Sequence, residues 1–476
     1  TQAAVATDAS GRTTLVWQGS AGGQPEVFAR SMTATVTRTF VADAGTSVQS
    51  ILDSKNLGPG DFIVVQGDVL GGAVIAPDDA GVSIWGAPGS TLTGLIDVAG
   101  GAGGVLLQRI TSIGVGQDPR KGIGGDIVVD GAARFTLSES SAGSVTLDAG
   151  TAAQIVANTL RGGTIIDTGL LVKGGVVDAL IDRNNVSVVE RSRAIDVESV
   201  GAAAPTGLVV SHNTLGMILP APVVIAPVTF DLSAAASGRI YGNVINGKKT
   251  GVAGLPGTAL LVGAAFTGTI DGNTIQGGDF GVRYDAPAAL VDNVVTGNSV
   301  GIRTTVGDTT GGLGFAAGSG VNDVATNDIG ILAVDAPFQR QHVVGNTVGA
   351  AGRGTVGGSS LDAANLFEKN GVAVGAFVGT VQYDRFVAND TAIKVSPVMN
   401  GLRVEHSVFS RNGRGVLVQA ASDVKIRQNT FFTTGGTAVR LENGAANVEI
   451  LGNTMWATAG GYDIFVANDS QAGFFS

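Results

Sequence analysis

The side chains best suited to chemistry lie late in the chain, where three short phrases align. Taking Val381, Val404 and Ile426 as equivalent inward positions makes their neighbours point outward. Gln382, Glu405 and Arg427 then form one outward column, and Arg403 stands over Lys425 in the next. Tyr383, Asp384, Arg385 and His406 follow close by. A β-eliminating lyase needs a base for the sugar C5 proton and a cation to stabilise the enolate that forms. His406 or Tyr383 fits the first role and Arg403 the second, so these three are the catalytic candidates. Arg403, Glu405, Lys425 and Arg427 together would make an anion-binding strip for a uronate or sulfated glycan. The bland alternative is a solvated face. Arg403 directly above Lys425 costs about 0.2–1 kcal/mol unless an anion offsets it; Glu405 is in place to do so, and exposed ion pairs add little stability.

A second group comes from aligning Gly281-Val-Arg283 with Gly301-Ile-Arg303. Arg283, Tyr284 and Arg303 would then gather as another sugar-compatible surface, with ordinary surface as the alternative. The remaining candidates are weaker. Asp78-Asp79 follows Pro77 and reads as a turn. His212 reads as packed at a bend beside Asn213, and His342 has no carboxylate in its own phrase. Three scattered His and no Cys argue against zinc. Gly122-Ile-Gly-Gly-Asp126 resembles a calcium-binding Gly-Asp repeat, but such sites work by repetition and it occurs once. No cofactor is expected; calcium stays open through turn carboxylates and carbonyls, with nothing specifying it.

The elements that must position these residues announce themselves by a recurring asparagine. A hydrophobe, two variable residues, Asn, one residue and another hydrophobe recur around Asn158, Asn184, Asn213, Asn243, Asn273, Asn293, Asn346, Asn429 and Asn453. Asn322 and Asn365 fit with a weaker first position, while Asp384 and Ser407 replace Asn in matching phrases. The spacing of roughly 20–30 residues, filled with short β-prone segments, predicts a solenoid. Five residues after several of these positions comes a second signal, at Asn298, Asn327, Asn370, Asn389 and Asn412. It leads into Gly or Ala and a β-branched residue, so each coil should contain at least two strands joined by a bend. The Asn column reads as structural, a single amide ladder that satisfies bend carbonyls otherwise buried unpaired.

This pattern resembles the right-handed parallel β-helix superfamily, the pectate-lyase-like and NosD-like folds, over most of residues 40–476. The resemblance implies an all-β, single-stranded right-handed parallel β-helix. Thr46-Ser-Val-Gln49 reads as a capping box opening a short helix near 46–57 that would close the N-terminal end of the stack. Residues 39–476 are thus expected to form the solenoid and residues 1–38 a small β-hairpin appendage. Residues 6–17 and 27–30 resemble one repeat of the β-rich arrays in very large bacterial surface proteins. Known enzymes of the superfamily carry Asn-Thr-Asp, Gly-His-Gly, Arg-Ile-Lys or Asp-Pro-His strings, none of which occurs here.

Composition narrows the rest. No polar or Pro-rich linker divides the repeat region, so one elongated domain is expected. Gly is high at 74 residues, yet 44% of the chain is hydrophobic, which argues for turns and against disorder. A net charge of −10 disfavours a nucleic-acid partner. No apolar run reaches membrane-spanning length, so no membrane insertion is expected. Three Trp and four Tyr against eighteen Phe count against an extended sugar-stacking groove. The expectation is therefore a non-catalytic structural or adhesive module of a large extracellular or cell-surface protein. Its partners would be flanking modules of the same polypeptide and polysaccharide. The competing expectation is a polysaccharide lyase or epimerase acting on an acidic polysaccharide along an outward sheet face.

Overall fold

The computed structural model describes residues 3–7, 12–21, 24–33, 38–113, 127–162, 168–188, 193–198, 203–217, 226–252, 254–306, 321–433, 436–457 and 460–473. Side chains are described from residue 38 onward; Gly122–Asp126 lies outside the described residues. Short strands alternate in burial: Ile270 is fully buried between the outward Thr269 and Asp271. Strands of this length cannot stand alone, so each pairs in parallel with its counterparts in the coils before and after. The result is a right-handed parallel β-helix with three strands per coil. One coil, for example, comprises Ala289–Val291, Val294–Thr296 and Val300–Thr304. Stacking gives an eleven-stranded sheet from Thr39–Ala42 to Ala289–Val291 and a fourteen-stranded sheet from Ser141–Ala142 to Thr454–Ala457. A third sheet runs from Ala73–Ile75 to Tyr462–Val466.

Two buried amide spines hold the bends, where the sequence reading has one. In the first, Asn213 donates its backbone N–H and its Nδ2 to Asn243 Oδ1, both at 2.9 Å. The same Nδ2 reaches back to the carbonyl of Ile181 at 2.9 Å. This pattern repeats through Asn158, Asn184, Asn213, Asn243, Asn273 and Asn293 to Asn322. The next rung is Gln341, whose Oε1 accepts from Asn322, followed by Asn365, Asp384, Ser407, Asn429 and Asn453. The second spine runs Asn298, Asn327, Asn346, Asn370, Asn389, Asn412. Asn346 therefore stands in the second spine, not in line with Asn158; Gln341, five residues earlier, fills the place expected for it. The residue before most first-spine positions takes a left-handed conformation to turn the corner, as at Ala157, His212 and His406, while Ala364 before Asn365 is extended.

The core is continuous and apolar. Phe367, Phe386, Phe409 and Phe431 form a buried ring stack with centroids 5.1, 4.8 and 4.4 Å apart. Small residues follow the second spine because the next coil crowds them: a Cβ at Gly301 would lie 2.6 Å from the carbonyl oxygen of Gly330. At the N-terminal end the helix Val48–Lys55 buries Val48, Ile51 and Leu52. Its N-cap is Ser47, not Thr46, and Gln49 makes no capping box; its Oε1 accepts from the backbone N–H of Val74 at 2.6 Å, tying the helix to the start of the third sheet. Arg12–Ala21 pairs antiparallel with both Ala3–Thr7 and Gln24–Thr33, a three-stranded sheet of its own. Among the described residues no helix is long and apolar enough to cross a membrane.

Candidate functional site

The strip aligned from sequence is present as columns. Thr380, Arg403, Lys425 and Glu449 pair in one register, and Gln382, Glu405, Arg427 and Leu451 in the other. The helix geometry thus brings Arg403, Glu405, Lys425 and Arg427 onto one face. Glu449 from the following coil clasps Arg427 through two bonds, at 2.9 and 2.7 Å, so that cation is already matched. A shallow depression of about 390 Å³, lined by Asp423, Lys425, Asn447, Val448 and Glu449, opens along the strip.

The two proton-transfer candidates are placed differently. Tyr383 and His406 occupy the left-handed corner positions and lie flat on one another, 4.7 Å apart and 6° from parallel. Asp384, expected near the strip, is wholly buried in the first spine instead. Its Oδ1 accepts from the backbone and side chain of Asn365, both at 3.0 Å, while Oδ2 has no partner. Burial drives this carboxyl up to about 8, against the two bonds from Asn365. At neutral pH it keeps its proton and serves as a neutral stand-in for the amide.

The second group separates. Arg283 and Arg303 stack in register as aligned, but both grip Asp285, at 2.8 and 2.9 Å. Tyr284 is no surface residue. Its ring is fully buried, and its hydroxyl donates to the Ala288 carbonyl at 2.7 Å and accepts from the Ala288 N–H at 2.8 Å. Alternation decides this: Tyr284 lies two residues beyond the inward Val282.

Other groups emerge only in three dimensions. Asp196 and Asp231 stand side by side in register on the outward face of the third sheet, yet each is 1% exposed. Arg193 reaches both, at 2.8 Å to Asp196 and 2.7 Å to Asp231. Burial raises the Asp196 carboxyl to about 7; Arg193 opposes the rise, and Asp231 and Glu198 add to it. A signal existed in the sequence, since Ile195-Asp-Val and Phe230-Asp-Leu each place a carboxylate inside an apolar strand. His342, without a carboxylate in its phrase, gains one from the preceding coil, with Nδ1 2.7 Å from Asp323. Among the described residues no three His, Cys, Asp or Glu side chains converge to hold a metal ion.

Residues 345–473 match the model of the right handed beta helix region. No curated protein matches the sequence. Similar solved structures include the A-module of the Azotobacter vinelandii mannuronan C-5 epimerase AlgE4 (11% identity, 90% of this chain and 98% of that one, TM-score 0.24). Another is a PL6 alginate lyase in complex with trisaccharide (12% identity, 90% and 85%, TM-score 0.28). A third is the Streptococcus pneumoniae surface protein and adhesin PfbA (12% identity, 88% and 95%, TM-score 0.22). Likeness at this level carries nothing about activity. With its stacked parallel sheets and the matched C-terminal coils, this chain is a right-handed parallel β-helix protein.

Proposed function

We propose that the chain is a non-catalytic structural or adhesive module of a large extracellular or cell-surface protein, meeting glycans along its outward sheet faces. One observation carries the reading: the two proton-transfer candidates of the cation strip, Tyr383 and His406, are stacked on each other at a corner. In that arrangement their rings brace successive coils, leaving Arg403 and Lys425 as contacts for an anionic glycan, with Glu405 and Glu449 as the neighbouring carboxylates. The test is to incubate the chain with alginate, pectate and sulfated glycans, following both binding and the absorbance of unsaturated products. Binding without product is expected, weakened when Arg403 and Lys425 are replaced by Ala. Turnover of any of these glycans would overturn the non-catalytic reading.

A further inference from the structure

Several coils before the cation strip, the eleven-stranded sheet presents a connected row of side chains. Asp182, Ser211, Tyr241 and Asp271 pair in register on four successive strands, all facing outward. Asp182 Oδ1 accepts from Ser211 Oγ at 2.8 Å and lies 2.9 Å from His212 Nδ1, while Arg183 Nε sits 2.7 Å from Oδ2. The His212 ring meets Tyr241 edge-on, with centroids 5.1 Å apart at 82°. Arg239 lies over the Tyr241 ring, 4.3 Å from its centroid, and grips Asp271 through bonds of 3.0 and 2.6 Å. Asp182 and Ser211 are themselves buried, and the flanking His212 and Arg239 side chains, 48% and 51% exposed, carry the row out to solvent.

We propose that this row is a binding subsite for a neutral sugar chain lying along the helix axis. Charge is the first argument. The two guanidinium–carboxylate pairs cancel, so an acidic glycan finds no unmatched cation here, in contrast to Arg403 and Lys425. Preorganisation is the second. Imidazole, carboxylate and guanidinium planes are locked by one another, so offering their remaining donors and acceptors to sugar hydroxyls costs little further ordering. The half-buried Tyr241, its ring covered by Arg239 and met by His212, adds its remaining apolar surface and its hydroxyl to what a sugar meets. Rungs about 4.8 Å apart repeat these groups at close to the length of one sugar unit. The sequence hides the site because its members come from four coils, and His212 alone reads as a packed corner. The proposal rests on the glycan-contact reading and gives it a second, uncharged ligand class.

The test is calorimetry on the whole chain with laminari-, xylo- and galacto-oligosaccharides, and with alginate and pectate oligomers as the charged comparison. At least one neutral series should bind, Tyr241→Ala should weaken it about tenfold or more, and His212→Ala should also weaken it. The exposed control Val398→Ser should leave it unchanged. Tyr241→Phe preserves the ring; with far-ultraviolet circular dichroism it separates a lost contact from a lost fold. No binding by any neutral series, or neutral binding unchanged in a folded Tyr241→Ala, overturns the subsite. Acidic oligomers that bind through Arg403 and Lys425 while neutral ones do not would sink this inference and leave the glycan-contact reading standing.

Discussion

The Tyr383 ring lies flat on that of His406, immediately outside the point where the first spine passes from Asp384 to Ser407. An Asn–Asn step carries two bonds into one side-chain oxygen; this step shows a single one, from Asp384 N–H to Ser407 Oγ at 3.1 Å. The stacked rings tie the two coils together at one of the steps where the ladder carries a single bond, as it also does from Gln341 to Asn365 and from Ser407 to Asn429. Two residues that look catalytic in a linear reading are, in the fold, stacked face to face between successive coils.

Asp384→Asn should stabilise the module and flatten its response to pH. The folded carboxyl is held at about 8 against an ordinary 3.8, so between those values the folded chain binds a proton that the unfolded chain has lost. Stability from this group is fully present below the lower value and drains as pH rises through the upper, by up to about 1.4 kcal/mol per pH unit. Urea midpoints from pH 5 to 9 should fall for the native chain and fall less for the variant. Parallel slopes would refute the buried-acid assignment.

Asn273→Ala should be among the costliest single changes. It removes the acceptor for Asn243 N–H and Nδ2, and the donor to Ile240 carbonyl and Asn293 Oδ1. Leaving these groups buried and unpaired should cost about 3 kcal/mol or more. A thermal midpoint close to that of the native chain would mean that the spine contributes shape rather than stability.

Tyr284→Phe isolates a structural hydroxyl. Its two bonds to Ala288 are buried, so losing them should destabilise by about 1–3 kcal/mol and leave glycan binding as it was. A selective loss of binding in a variant of unchanged stability would restore Tyr284 to the surface role its neighbours suggest.

Asp285→Ala should convert a neutralised pair into an anion site. Without the shared carboxylate, Arg283 stands directly beside Arg303, an arrangement that costs about 0.2–1 kcal/mol. Stronger retention on a heparin matrix is expected, with the gain disappearing in salt. Retention equal to that of the native chain would show that the two arginines make no anion site even when Asp285 is gone.

The fold was legible because a solenoid writes its period into the chain: each coil must place a hydrophobe inward and an amide at the bend, so Asn158, Asn184 and Asn213 recur in plain sight. The columns of Arg403 over Lys425 and Glu405 over Arg427 followed from the same alternation. Tertiary structure decided what lies beyond local pattern. Both bends use the same phrase, as Val295-Thr-Gly-Asn298-Ser-Val300 shows, so Asn346 matches the first spine yet sits in the second. The five-residue step from Gln341 to Asn346, the same as from Asn293 to Asn298, was the only trace. Ion pairing was hidden for a related reason: Glu449, Asp323 and Asp231 meet Arg427, His342 and Arg193 from neighbouring coils, about 4.8 Å away in space but some twenty to forty residues away in sequence. A sequence records which side chains face outward, and only stacking determines which of them touch.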